Sequence, residues 1–224
     1  MVNKKAFILS FLVVAFCVVM ALVDGVFMAE YFVKSAIKLV LFLCVPLIYA
    51  FFDKELSVKN LFKIDKNGIL PAVLMGVLIY VVIVGGYFLL RGVFDFTKIT
   101  GALTENIGVN GKNFIFVSIY ISFVNSLLEE FFFRGFAFLT LSKLIGRKVA
   151  YIFSAGVFAL YHVAMMIGWF DLPLFIIVMA GLFAGGVIFN FLNEKSGTIY
   201  PSWFLHMFAN FAINTVGFIL FGII

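Results

Sequence analysis

The stretch NFIFVSIYISFVNSLLEEFFFRGFAFLT, residues 113–140, decides how this chain is read. It exceeds the roughly 20 mostly apolar residues that cross a bilayer, yet it holds Asn125, Ser126, Glu129, Glu130 and Arg134 along its length. A charge at mid-membrane costs roughly 2.5–3.5 kcal/mol on insertion scales, so residues of this kind mark function by default. Lipid is the setting throughout. Of 224 residues 65% are hydrophobic and 12% charged, against roughly 45–50% and 25% in soluble domains, and the mean hydropathy is +1.20. A water-soluble globule of this length cannot hide that much apolar surface. A cytosolic enzyme, a nucleic-acid-binding domain and a disulfide-stapled secreted module are therefore excluded. The net charge of +5 belongs to loop lysines that orient a membrane protein, not to a nucleic-acid partner. Cys17 and Cys44 lie in apolar runs and offer neither metal-type spacing nor a disulfide framework.

Outward from that stretch the chain reads as all-α and polytopic. Seven spans are expected, at about 6–28, 31–51, 69–90, 113–140, 149–168, 172–193 and 200–224. The first is too long for a signal-peptide core and lacks an A-x-A site, so it reads as a retained anchor. The loops 52–68 and 91–112 are long enough for short structure but not for a separate domain. With the N-terminus in the cytoplasm, inside segments carry ten basic residues (Lys4, Lys5, Lys54, Lys59, Lys63, Lys66, Lys143, Arg147, Lys148, Lys195) and outside segments three (Arg91, Lys98, Lys112). That bias sets the N-terminus inside the cell membrane and the C-terminus outside. Lys34 and Lys38, an i,i+4 pair near the outer end of the second span, are expected to snorkel outward toward Asp24 or Glu30 in a structural role.

Polar groups of functional type then fall in three spans: the fourth with Glu129, Glu130 and Arg134, the fifth with His162, and the seventh with His206 and Asn210. At 1.5 Å per helical residue, Glu129, His162, His206 and Asn210 lie about 16, 20, 9 and 15 Å from the cytoplasmic ends of their spans, an overlapping depth in the cytoplasmic half. Glu130 and Arg134, at i,i+4, share a face and can pair, while Glu129 is turned about 100° away and stays available. A carboxylate in an apolar setting is poised to accept a proton. His206 and Asn210 are also i,i+4 and would present two groups to one point, and Phe158, one turn from His162, would buttress the imidazole. Such a set could activate a water and stabilise an oxyanion. Two histidines and one carboxylate (Glu129, His162, His206) equally suit zinc, so the spacing leaves a metal-bound and a metal-free site open. No G-x-S-x-G and no buried aspartate pair is present, which leaves serine and aspartyl intramembrane proteases without support.

Other polar and small residues read structurally. Asn125 and Ser126 suit packing, Phe131 to Phe133 lipid or core, Gly181 and Gly185 a close helix crossing, and Gly85-Gly86 a flexible point. Two further functions compete with hydrolysis. One is a proton- or ion-coupled transporter built on the same carboxylates and histidines, although no inverted repeat or paired broken helices are visible. The other is a non-catalytic immunity or scaffolding protein.

Three ordered motifs resemble a known family. Glu129-Glu130-Phe131-Phe132-Phe133-Arg134 is similar to the EExxxR motif of the CPBP family of intramembrane proteases, the CAAX-protease and bacteriocin-processing or Abi family. Phe158 to His162 resembles its FxxxH motif, His206 to Asn210 its HxxxN motif, and Gly197 to Pro201 the usual lead-in. The resemblance covers residues 113–215 and implies a catalytic core over 113–224 behind a variable three-span region over 1–112. It also implies that Glu129 and His162 activate water, that His206 and Asn210 form the oxyanion site, and that Glu130 and Arg134 support them. A peptide or membrane-protein substrate cut near the cytoplasmic face is what the family would bring. Metal dependence and oligomeric state stay open.

Overall fold

The computed structural model describes residues 2–53, 56–64 and 66–224, and its regular structure is helical throughout. In a bilayer every backbone N–H and C=O must find a partner inside the protein, which long apolar helices achieve within one segment. The helices are α1 (Val2–Gly25), α2 (Tyr31–Phe52), α3 (Val58–Leu61), α4 (Lys66–Leu90), α5 (Thr97–Ile107), α6 (Phe114–Ile145), α7 (Arg147–Met166), α8 (Leu172–Ser196) and α9 (Tyr200–Leu220). Seven of them, all but α3 and α5, are long and apolar enough to cross a membrane. Of the basic residues counted for orientation, Lys54 and the side chain of Lys66 lie outside the described residues.

The chain's punctuation explains the boundaries. Gly146, at φ +85°, turns sharply between α6 and α7. Gly197 ends α8 in the left-handed conformation, with its N–H donated to the Asn193 carbonyl at 2.8 Å. Pro173 and Pro201 sit in the first turns of α8 and α9, where no N–H is needed. The 91–112 loop holds α5. Its start is fixed by the Asp95 carboxylate, which accepts from the Thr97 N–H at 2.9 Å and its hydroxyl at 2.6 Å. Those two bonds hold the Asp95 carboxyl below the usual carboxylate range. Lys98 on α5 reaches Asp171 in the α7–α8 loop at 2.7 Å.

Between helices in lipid no hydrophobic driving force operates, so close packing and polar contacts must hold the bundle. α9 lies along α4, where a Cβ at Gly76 would meet the Phe208 ring at 2.5 Å. α7 and α8 meet at Gly186, where a Cβ would stand 3.0 Å from the Ala155 backbone. The expected crossing at Gly181 and Gly185 is therefore displaced: a Cβ added at either would meet nothing within 4 Å, and Gly186, next to Gly185, makes the contact. Gly85 and Gly86 continue α4 as helix without a break.

α6 is the centre of the bundle. Phe131, Phe132, Phe133, Phe136 and Phe138 are all buried, so none faces lipid. Phe132 stacks on Phe42 of α2 at 4.0 Å, and Phe133 meets Phe158 of α7 edge-on at 5.3 Å. From Leu128 to Phe138 every residue of α6 is buried, whereas Ile115, Phe116, Ile119, Phe123 and Val124 nearer its start are exposed.

Candidate active site

The site begins with the irregular backbone of α6. A single α-helical turn, Ser126–Glu129, is flanked by π-helical stretches at Ile121–Asn125 and Glu130–Leu139. A π turn departs from the i→i−4 pattern and shifts carbonyls out of register, a distortion common where function resides. α9 supplies the extra donors. Asn210 donates from Nδ2 to the Ile121 carbonyl at 3.1 Å, and Asn214 to the Ser118 carbonyl at 3.1 Å and the Ser122 hydroxyl at 3.0 Å. Trp203 donates to the Phe123 carbonyl at 3.2 Å and the Ser126 hydroxyl at 3.0 Å. The seventh span thus stitches the distorted part of the fourth, which fixes where Glu129 and Glu130 point.

Glu129 is 2% exposed. Its Oε2 stands 3.8 Å from Nε2 of His162 and 3.7 Å from Nε2 of His206, so α6, α7 and α9 deliver one atom each to a common point. Both imidazoles are oriented from behind. His162 Nδ1 lies 2.8 Å from the Phe158 carbonyl, an acceptor only, so this nitrogen carries the proton. His206 Nδ1 lies 2.9 Å from Oε1 of Glu130 and donates to it when that group is a carboxylate. In a neutral ring this leaves each Nε2 with its lone pair directed to the Glu129 side. Phe158 meets His162 edge-on at 4.8 Å, and Phe189 stacks on His206 at 5.2 Å.

Glu130 links His206 to Arg134, whose Nε is 3.5 Å from the second carboxylate oxygen with both side chains fully buried. The guanidinium lies 4.1 Å over Phe158 and 4.9 Å over Phe189. Aromatic faces stabilise a cation that has lost its water, by about 2 kcal/mol or more when desolvated. The phenylalanines around the EExxxR segment therefore hold its arginine as well as filling space.

His206 turns its ring to Glu129 and Glu130, and the Asn210 amide places one of its hydrogens on the Ile121 carbonyl. The polar set is not confined to three spans. Lys38 of α2, expected to snorkel outward, is buried, with Nζ 2.7 Å from Oε1 of Glu129 and 2.6 Å from Oδ1 of Asn125. Glu129 thus lies against an ammonium rather than in a purely apolar setting. Asn125 also donates from Nδ2 to the same Oε1 at 3.0 Å, which brings it into the site rather than leaving it to packing. Lys34 does meet Asp24, at 2.8 Å. A second lysine one turn deeper needs a counter-charge of its own, and Glu129 was the intramembrane acid without a partner on its own helix. That was the available signal.

The expected depth shifts as well. α6 runs on to Ile145, which leaves Glu129 at the middle of its span, and His162 stands one turn from the Met166 end of α7.

Glu129, His162 and His206 were the candidates for zinc. Their three facing atoms have suitable chemistry, but the single negative charge of Glu129 is already engaged by Lys38. A divalent cation there would sit a carboxylate's width from an ammonium, with one negative charge against three positive. The set does not fit a divalent metal, and among the described residues no group of three or more His, Cys, Asp or Glu is disposed to hold one.

Residues 111–212 match the family described as type II CAAX prenyl endopeptidase Rce1-like. No curated protein and no solved structure matched. The matched segment spans α6 to α9 as far as Ala212 and contains the EExxxR, FxxxH and HxxxN positions. That segment, a little under half of the chain, is thus similar to the type II CAAX prenyl endopeptidase family in the part of the bundle that carries the site.

Proposed function

We propose that the protein hydrolyses a peptide bond of a peptide or membrane-protein substrate within the membrane, using water activated by Glu129 and His162. The observation that carries this reading is the approach of Glu129 Oε2 to the two Nε2 atoms at 3.8 and 3.7 Å. Glu129 Oε2 and the His162 Nε2 lone pair are two hydrogen-bond acceptors facing one another, which matches the two bonds that a water molecule donates. Glu129 takes the proton as the water oxygen attacks the scissile carbonyl, and the same proton passes to the departing amine. His206, backed by the Glu130 carboxylate, can carry a second proton at Nε2 and donate it toward the tetrahedral oxyanion. Asn210 keeps one Nδ2 hydrogen on Ile121 and has the other for the same oxyanion. One well-placed donor of this type contributes about 10²–10³ in kcat. Phe158, Glu130 and Arg134 orient the two imidazoles.

The basic-residue bias favours a cell-membrane protein with a cytoplasmic N-terminus and an external C-terminus. The matched family's description names prenylated CAAX substrates. For this chain the proposed class is wider, any extended segment that reaches mid-membrane, with approach near the cytoplasmic face as the expectation to test. The test uses proteoliposomes and three quenched-fluorescent probes: a farnesylated CAAX peptide, its unprenylated form and a single-span peptide. Cleavage of any probe by the wild type that disappears in both Glu129→Ala and His162→Ala supports the reading. Cleavage by either variant at the wild-type rate refutes it.

A further inference from the structure

We propose that Lys38 is a positioning residue of the active site, clamping one oxygen of Glu129 so that the other faces the two histidines. This rests on the hydrolytic reading above and adds to it a residue from the N-terminal three spans, outside the matched segment 111–212.

The argument is an asymmetry within one carboxylate. Oε1 of Glu129 accepts from Lys38 Nζ at 2.7 Å and from Asn125 Nδ2 at 3.0 Å, whereas Oε2 has no hydrogen-bond partner and is the oxygen nearest both Nε2 atoms. A lysine present only to balance charge needs no such selectivity. The ammonium is itself held on three sides. It donates to Oδ1 of Asn125 at 2.6 Å, lies 4.9 Å over the Tyr161 ring and 5.6 Å over the Phe42 ring. Tyr161 precedes His162 and packs edge-on against it at 5.1 Å, so the group that seats the ammonium also seats the imidazole. The backbone of α2 turns π-helical at Val40–Cys44, with Leu39 between that stretch and Lys38. Packing between α2 and α6 centres on Phe42 and Phe132, which fixes the approach of Lys38 to Glu129.

Without the clamp the Glu129 side chain is free to rotate, and Oε1 and Oε2 exchange. A misplacement of about 1 Å in a reacting group costs roughly 100-fold in rate. The loss falls on the chemical step and not on substrate binding, because Lys38 acts through Glu129.

The experiment compares wild type, Lys38→Met, Lys38→Arg and Asn125→Leu on whichever of the three peptide probes the wild type cleaves. Each variant is first checked for monodispersity and thermal stability. Lys38→Met is expected to lose roughly 100-fold in kcat with KM within about twofold, and Lys38→Arg to restore about tenfold of that loss. If Lys38→Met does not fold, Asn125→Leu decides, with about a tenfold fall in kcat expected at unchanged KM. In parallel, isotope-edited infrared spectroscopy of the Glu129 carboxylate, identified by subtracting Glu129→Gln, reads the splitting of its two stretching bands. A change of splitting in the folded lysine or asparagine variant supports the clamp. A kcat within threefold of wild type, a loss appearing in KM instead of kcat, or an unchanged carboxylate spectrum overturns it. If the wild type cleaves none of the probes, the hydrolytic reading fails for them while the infrared comparison still decides the clamp.

Discussion

Removing one charge of the Glu130–Arg134 pair should damage the protein far more than removing both. The two side chains are fully buried, at 3.5 Å, and the guanidinium has no hydrogen-bond partner, resting against the carboxylate and the faces of Phe133, Phe158 and Phe189. Glu130→Gln keeps an oxygen for His206 but strands the arginine. Leaving one member of a buried pair uncompensated costs roughly 3–5 kcal/mol. For a protein of this size each kcal/mol moves Tm by about 2–4 °C, so a fall of about 6–20 °C is expected. Cation–π contact with the rings, about 2 kcal/mol or more when desolvated, pulls the result toward the lower end. Adding Arg134→Met should restore at least half of the loss, since an apolar replacement of a whole buried pair is often neutral. The assay is thermal unfolding of detergent-solubilised single and double variants as a double-mutant cycle. A single-variant shift below about 2 °C, or a double variant equal to the sum of the singles, would refute the reasoning.

Three other outcomes follow from the same contacts. Asn214→Ala should lower stability by about 1–3 kcal/mol, through the stranded Ser118 carbonyl and Ser122 hydroxyl, and leave kcat nearly unchanged, whereas Asn210→Ala should lower kcat about 10²–10³-fold; comparing Tm with kcat for the two separates the roles. Phe158→Leu should reduce kcat more than it raises KM, because it loosens both His162 and Arg134, and steady-state kinetics on a cleaved probe would check this. Asp95 titrates below the usual carboxylate range because its charged form accepts two bonds from Thr97. Its contribution to the start of α5 is therefore complete above about pH 4 and lost as the pH falls through the lowered value. The Thr97 amide chemical shift should follow that titration and become flat in Asp95→Asn.

The seven spans were legible because lipid imposes a length and an apolar composition on each crossing, and the ends moved by only a few residues. The fourth span is the longest departure: nothing breaks the helix at Thr140, and it continues to the turn at Gly146. Phe131 to Phe133 were harder to place, since consecutive apolar residues fit lipid and protein equally. Their burial follows from this part of α6 having neighbours on every side. Glu129, His162 and His206 were readable as a group from motif order, and their approach within 4 Å is a tertiary fact that motif order alone does not contain. Lys38 was readable only through its need for a counter-charge. Its spacing from Lys34 is that of a snorkelling pair, and its partner lies 91 residues away on a helix that packs against α2 through Phe42 and Phe132. The bond from Asn210 to Ile121 was equally hidden, because it depends on a π-helical carbonyl that composition does not reveal.

The proposed hydrolysis uses a carboxylate-activated water rather than a metal-bound one. Its most direct test is the kcat of the wild type on a cleaved probe after exhaustive chelation and confirmed metal removal, beside Glu129→Gln. The account predicts an unchanged kcat for the metal-stripped wild type and a loss of about 10²–10⁴-fold for the variant. Activity that disappears with the metal and returns with added zinc would contradict it.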